Sequence, residues 1–205
     1  METMKLTFTP IYVLDIETKP QADLVELYKD EIKPRKNIKD PEKIEKDLAN
    51  RLKGLRKKMS IDPDSADIIC VGIKNIAPFG DKEARLVEPK ELEELFKSYF
   101  TLITYNGKKF DIPLLIKYGI KHDLDLPYKD LQEMTIKYRA GRHLDLQELI
   151  CDNEYKSLDL LLQIYLGIKK TPIQFETATE EEIKLHCLED VENEHKLYEK
   201  FKRLV

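Results

Sequence analysis

Two acids one residue apart close an apolar run: Ile11, Tyr12, Val13 and Leu14 lead directly into Asp15, Ile16, Glu17 and Thr18. The β-branched and aromatic residues favour a strand, and the lack of strict alternation predicts burial on both faces. Residues two apart in a strand point to the same face, so Asp15 and Glu17 project together near the strand's end. Carboxylates held that close repel unless a cation lies between them, and a hard divalent ion with oxygen ligands is the natural candidate. The alternative is an exposed strand end carrying two solvated acids.

A second segment, residues 100–116, places Leu102, Ile103 and Thr104 in another short buried strand. It turns at Asn106-Gly107 and enters a helix from Phe110 to Tyr118. Asp111 falls in the first turn, where a carboxylate suits the helix dipole, and Pro113 is tolerated that early. Asp111 is therefore either a site acid or a plain capping residue. The third segment reads as one long helix from Thr179 to Arg203. Ile183, His186, Cys187, Asp190, Val191, Glu194, Leu197, Tyr198 and Phe201 fall on or near one stripe of it. Asp190 interrupts that largely apolar stripe one turn after His186. A charge on a buried face is costly unless paired or metal-bound, so Asp190 is a ligand or half of a rim salt bridge.

Strands are predicted at Ile11–Asp15, Ile68–Lys74, Arg85–Glu88, Leu102–Tyr105 and His143–Leu146, and helices at Lys90–Tyr99, Phe110–Tyr118, Leu158–Tyr165 and Thr179–Arg203. Their alternation predicts an α/β class, and the length predicts a single domain over residues 1–205. Ser157 is a credible N-cap for the helix that Gly167 closes. His143-Leu144-Asp145-Leu146 looks like a strand entering a helix, with Asp145 either capping that helix or lying near the other acids. Lys156 reaches a phosphate or stays solvated.

Taken in order, Asp15-x-Glu17 on the first strand, Asn106-x-x-x-Phe110-Asp111 after a later strand and Asp190 on the last helix resemble the DEDD exonuclease superfamily. The likeness runs from roughly Ile11 to Tyr198. Within the superfamily the chain is most similar to the proofreading exonuclease domain of family B DNA polymerases and to stand-alone predicted exonucleases related to it. Residues 37–44, with Ser60-Ile61-Asp62-Pro63 further on, resemble an insertion of phage-associated members.

The resemblance implies an RNase H-like fold: a mixed five-stranded sheet flanked by helices, with a basic helical insertion over about residues 20–62. It implies that Asp15, Glu17, Asp111 and Asp190 hold two Mg²⁺ or Mn²⁺ ions, partly through water. These acids and His186 form the expected catalytic set. Asn106 and Phe110 would contact the terminal nucleotide, with Phe110 a core residue in the alternative, and Lys108 and Lys109 are further substrate-binding candidates. One departure matters. The superfamily's subclasses carry Tyr four positions, or His five positions, ahead of the last Asp. Here His186 stands four ahead of Asp190 and Leu185 five ahead. Four residues on a helix share a face, so His186 either orients or deprotonates the attacking water or is a packed histidine in an impaired site.

Phosphodiester hydrolysis needs an in-line water nucleophile and stabilisation of the leaving oxygen, which two metals roughly 3.5–4 Å apart supply together. Oxygen ligation suits Mg²⁺ and Mn²⁺ rather than zinc. With that chemistry, the resemblance implies a metal-dependent 3′–5′ exonuclease on single-stranded DNA. The runners-up are an exoribonuclease and a non-catalytic module that binds nucleic acid or a replication factor. With no polymerase domain in the sequence, proofreading would need a DNA polymerase or another replication or repair protein in trans.

The net charge of −4 looks wrong for a nucleic-acid binder, but its distribution matters more than its sum. Residues 33–58 hold 11 Lys or Arg against 4 Asp or Glu. This segment reads as helical, broken by Pro34 and Pro41 and anchored by Leu48, Leu52 and Leu55. It is either an arm that follows a phosphate backbone or a solvated charged helix. Lys137, Arg139 and Arg142 are further cationic candidates. Cys70, Cys151 and Cys187 show no zinc spacing and read as reduced, mostly buried thiols. No membrane-length apolar run and no signal-peptide pattern are found, so a cytoplasmic location is expected. The 36% of charged residues is compatible with a thermophilic source.

Overall fold

A computed structural model describes residues 9–205, apart from 140, 152 and 153. The chain divides into two compact units, one formed by the chain up to Glu17 together with Ile69–Val205, the other by Thr18–Ile68.

The sheet has five strands: β1 (Ile11–Pro20), β2 (Ala66–Asn75), β3 (Arg85–Val87), β4 (Thr101–Thr104) and β5 (His143–Asp145), in the order β3-β2-β1-β4-β5. β1 is central, which accounts for its run of apolar residues; Val13 and Leu14 are fully buried. β1 pairs with β4 in parallel, with Val13 opposite Ile103, and β4 pairs with β5 in parallel, with Thr104 opposite Asp145. β3 is antiparallel to β2, so the sheet is mixed. Parallel strands bring their carboxyl ends to one edge. Asp15, the turn after β4 and Asp145 are therefore delivered to the same edge, where ligands of open α/β sheets bind.

Helices cover this sheet: α3 (Leu92–Leu95), α4 (Asp111–Lys121), α5 (Tyr128–Met134), α6 (Leu146–Cys151), α7 (Leu158–Leu166) and α8 (Glu180–Phe201). One core cluster joins Val13, Ile103 and Leu144 of the strands to Leu161 and Leu162 of α7 and to Val191 and Leu197 of α8. Gly72 of β2 permits the close approach of α8. A Cβ there would lie 2.8 Å from both Cys187 Sγ and Val191 Cγ2. α8 opens with a capping box between Thr179 and Glu182. Ser157 caps α7 by accepting the N–H of Leu160, and Gly167 ends that helix in the left-handed region at φ +67°.

The second unit is helical, with α1 (Ala22–Lys29) and α2 (Pro41–Ser60). Asp47 organises it by accepting the backbone N–H of Arg35 at 3.0 Å and Nε of Arg51 at 3.1 Å. Thr18 donates its hydroxyl to the carbonyl of Ser60, and the side chain of Gln21 donates to the carbonyl of Ala66. This is the helical insertion expected after the first strand.

The predicted elements shift in instructive ways. β1 runs five residues beyond Asp15, so Glu17 lies within the strand. Pro41 does not break a helix; it starts α2 at the first helical position, behind the capping side chain of Asp40, where its missing N–H costs nothing. The helix expected at Lys90–Tyr99 shrinks to a 3₁₀ turn, Pro89–Glu91, and the single turn of α3. The chain leaves it where Phe96 and Phe100 stack at 4.3 Å, both buried, just before β4. α5 had no expectation, because only Leu131 and Met134 of its seven residues are buried and so short a stripe carries little periodicity.

Candidate metal centre

The site is built from β1, α4 and α8. β1 supplies Asp15 and Glu17, which strand alternation turns to one face. α8 supplies His186 and Asp190, one helical turn apart. His186 Nε2 lies 3.9 Å from Glu17 Oε1 and 3.7 Å from Asp190 Oδ2. One donor atom from each of these three residues falls within 4.8 Å of the others, a spacing that a single cation spans. The ring of His186 is met edge-on by Phe175 at 5.7 Å, which restricts its rotation. Asp111 is buried in the first turn of α4, and its strongest charged neighbour is Asp15.

The electrostatics are those of acids crowded without enough counter-charge. Burial, then the charge of Asp190, pushes Asp15 up to about 7. Burial, then Asp15 and Asp190, pushes Glu17 up to about 9. Asp111 is driven well above the ordinary carboxylate range, by burial first and by Asp15 second. Asp15 Oδ2 is enclosed and has no hydrogen-bond partner among the described residues. Burial lowers the pKa of His186, so the imidazole is neutral near pH 7 and offers a lone pair. Carboxylates that hold their protons this tightly, one with an orphaned oxygen, fit a divalent cation that would take the protons' place. Asp15, Glu17, Asp111 and Asp190 would supply oxygen donors and His186 one nitrogen; of these, Glu17, His186 and Asp190 bring donor atoms within 4.8 Å of one another. That nitrogen favours Mn²⁺ over Mg²⁺ in affinity.

Two residues of this site had no role in the sequence reading. Glu194, one turn beyond Asp190, is almost fully buried, and burial, then the charges of Asp15, Asp111 and Asp190, holds its carboxyl well above the usual range. Its place on the α8 stripe was visible, but nothing local marks a protonated acid. Lys170 lies in the segment between α7 and α8. Its ammonium sits 2.5 Å from Asp190 Oδ1 and 2.6 Å from Oδ2. No sequence signal links residues 20 apart through a loop.

The expected nucleotide contacts divide. Asn106 follows β4 in the left-handed region at φ +64°, with its Oδ1 enclosed and without a partner among the described residues. Phe110 is half-buried at the N-cap position of α4. Lys109 is exposed. Lys108 is buried, and its ammonium is committed to Glu148 and, at 3.3 Å, to the carbonyl of Arg139. A phosphate would have to compete with that ion pair. Asp145 caps α6 by accepting the N–H groups of Gln147 and Glu148, and it also accepts those of Asn106 and Lys108. Lys156 pairs with Glu154 at the surface. All three cysteines are free and buried. No helix among the described residues is long and apolar enough to cross a membrane.

The fold with this site is RNase H-like. A family model of the RNase H superfamily matches residues 72–171, which runs from the last residues of β2 through α7 and includes Asp111 but not Asp15, Glu17, His186 or Asp190. Among solved structures, the chain is similar to the family B DNA polymerase from the hyperthermophilic archaeon Pyrobaculum calidifontis, at a TM-score of 0.54 and 14% identity over 95% of this chain. The chain spans about a quarter of that polymerase, 24% of its length. No curated protein matches the sequence.

Proposed function

We propose that this chain is a metal-dependent 3′–5′ exonuclease that hydrolyses phosphodiester bonds at the 3′ end of single-stranded DNA, as the proofreading exonuclease domains of family B polymerases do. The observation that carries the reading is the meeting of Glu17, His186 and Asp190 within ligand distance of one another, in the same electrostatic neighbourhood as Asp15 and Asp111.

Two bound Mg²⁺ or Mn²⁺ ions would lower the pKa of water and neutralise charge on the leaving oxygen. The chain's own residues do the rest. Asp15, Glu17 and Asp111 would give up their protons, and with Asp190 they would hold the ions. Neutral His186 would lend its lone pair to an ion and so orient the water held beside it, and the edge of Phe175 keeps its ring in line. Asn106 offers its unpartnered Oδ1 to the sugar or base of the terminal nucleotide, and Phe110 stacks on it. Asp145 holds the turn that carries Asn106. In the insertion, a cavity of about 460 Å³ is lined by Tyr28, Ile32, Lys33, Arg51 and Lys58 among others. An aromatic ring among cations suits the backbone and bases of a single strand. A DNA polymerase or other repair protein would act with the chain in trans, and the cytoplasm is the proposed location.

The second reading, a catalytically impaired nucleic-acid-binding module, is favoured by the ion pair of Lys170 with Asp190. Degradation of 5′-labelled single-stranded DNA in Mn²⁺ or Mg²⁺ separates the two. The exonuclease gives a ladder shortening from the 3′ end. Asp15→Ala abolishes it, and His186→Ala slows it by about 10²-fold. No cleavage of single strands, duplexes or RNA with either metal sinks the enzyme reading and leaves the binding module. Cleavage of RNA alone redirects it to an exoribonuclease.

A further inference from the structure

Lys170 is held where it is by two independent features. Gly167 turns the chain back at the end of α7 with its left-handed φ of +67°, a conformation a side chain resists. The backbone N–H of Lys170 then donates to Asp159 Oδ1, in the first turn of the same helix, at 3.3 Å. So anchored, the side chain reaches into the acidic cluster, and its ammonium contacts both oxygens of Asp190. Its charge is felt throughout the site, where it favours the ionised forms of Asp15 and Glu17 and disfavours the charged form of His186. Asp190 is also the carboxylate that Glu17 and His186 meet. A divalent ion and an ammonium on one carboxylate repel each other; the ammonium hydrogen-bonds Asp190 Oδ2 and lies 2.5 Å from Oδ1, which itself accepts no hydrogen bond among the described residues. The lysine stem is four carbons long and flexible, and the segment that bears it has neither helix nor strand.

We propose that Lys170 is a built-in competitor for the metal centre: it holds Asp190 when no divalent ion is bound, and an ion gains Asp190 only as the ammonium withdraws. The proposal rests on the reading of this cluster as a divalent-cation site. It makes the occupancy of the Asp190 side of the centre the outcome of an exchange between one lysine and one ion. It also accounts for the ion pair without an impaired site.

Calorimetric titration with Mn²⁺ alone, without nucleic acid, tests it on the wild type, Lys170→Met and Lys170→Arg. Removing the ammonium while keeping the stem is expected to tighten Mn²⁺ binding roughly tenfold. Lys170→Arg is expected to weaken it below wild type, because a guanidinium holds a carboxylate through two hydrogen bonds. The order Met, Lys, Arg from tightest to weakest supports the exchange. Equal or weaker binding in Lys170→Met, with its circular dichroism unchanged, overturns it. If Lys170→Met does not fold, Lys170→Arg decides alone, and binding at or above the wild-type level overturns the proposal. Absence of Mn²⁺ binding in the wild type and both variants sinks the metal reading itself. Retained binding that ignores residue 170 sinks only the exchange.

Discussion

Asp145 Oδ1 accepts the backbone N–H of Asn106 at 3.0 Å, tying the end of β5 to the turn that follows β4. The same carboxylate accepts Lys108 N–H at 3.1 Å and caps α6 through Gln147 and Glu148. One buried acid thus satisfies four backbone donors and fixes the left-handed conformation of Asn106. Asp145→Ala strands those donors, so it is expected to destabilise the fold by about 3 kcal/mol. Asp145→Asn keeps an acceptor and costs less. Urea unfolding of the two variants checks both values, and equal losses would contradict the role of Oδ1, the acceptor of three of the four N–H groups and the one that asparagine keeps.

The raised carboxyls of β1 make stability depend on pH in an unusual sense. A carboxyl that binds its proton more tightly folded than unfolded stabilises the fold while protonated. That contribution is complete below the unfolded value of about 4 and is lost as pH rises through the folded values, about 7 for Asp15 and about 9 for Glu17. Each group loses up to about 1.4 kcal/mol per pH unit across its own window. In EDTA, the melting temperature is therefore expected to fall between about pH 5 and about pH 9. Mn²⁺ takes the protons' place, so it should raise the melting temperature most at the alkaline end and release protons on binding. A melting temperature that ignores both pH and Mn²⁺ would count against the crowded-acid description.

The approach of α8 to the sheet depends on the bare backbone of Gly72. Gly72→Ala puts a methyl 2.8 Å from Cys187 Sγ and Val191 Cγ2, and Cys187 is the neighbour of His186. The helix has to move by a few tenths of an ångström, which is expected to cost about 2 kcal/mol and to shift His186 relative to Glu17. Thermal unfolding reads the first effect, and weaker Mn²⁺ binding by the folded variant reads the second. An unchanged melting temperature would show that the helix yields freely.

Much of this architecture was legible in the chain because it rests on neighbours in sequence. The caps at Ser157 and Gly167 need only a side-chain oxygen and a residue that tolerates positive φ. His186 and Asp190 share a face because four residues make about one helical turn. The error at Pro41 is of the same local kind: proline ends helices and also begins them, and Asp40 before it decided which. The overlong helix at Lys90–Tyr99 is different: its helical turn stops at Leu95, and the buried rings of Phe96 and Phe100 lead the chain into β4.

The sequence by itself determined which acids exist, which of them share a strand face or a helix face, and the alternation that makes an α/β sheet. Tertiary structure decided the company those acids keep. It buried Lys108 on Glu148, 40 residues away, and turned Lys170 onto Asp190 across 20 residues. It also made Asp145 the acceptor of N–H groups from two separate segments. Local preferences are set by steric and hydrogen-bonding terms within a few residues. Pairings between distant charges are set by where the whole sheet and its crossovers bring the chain, and by the cost of leaving any buried charge unmatched.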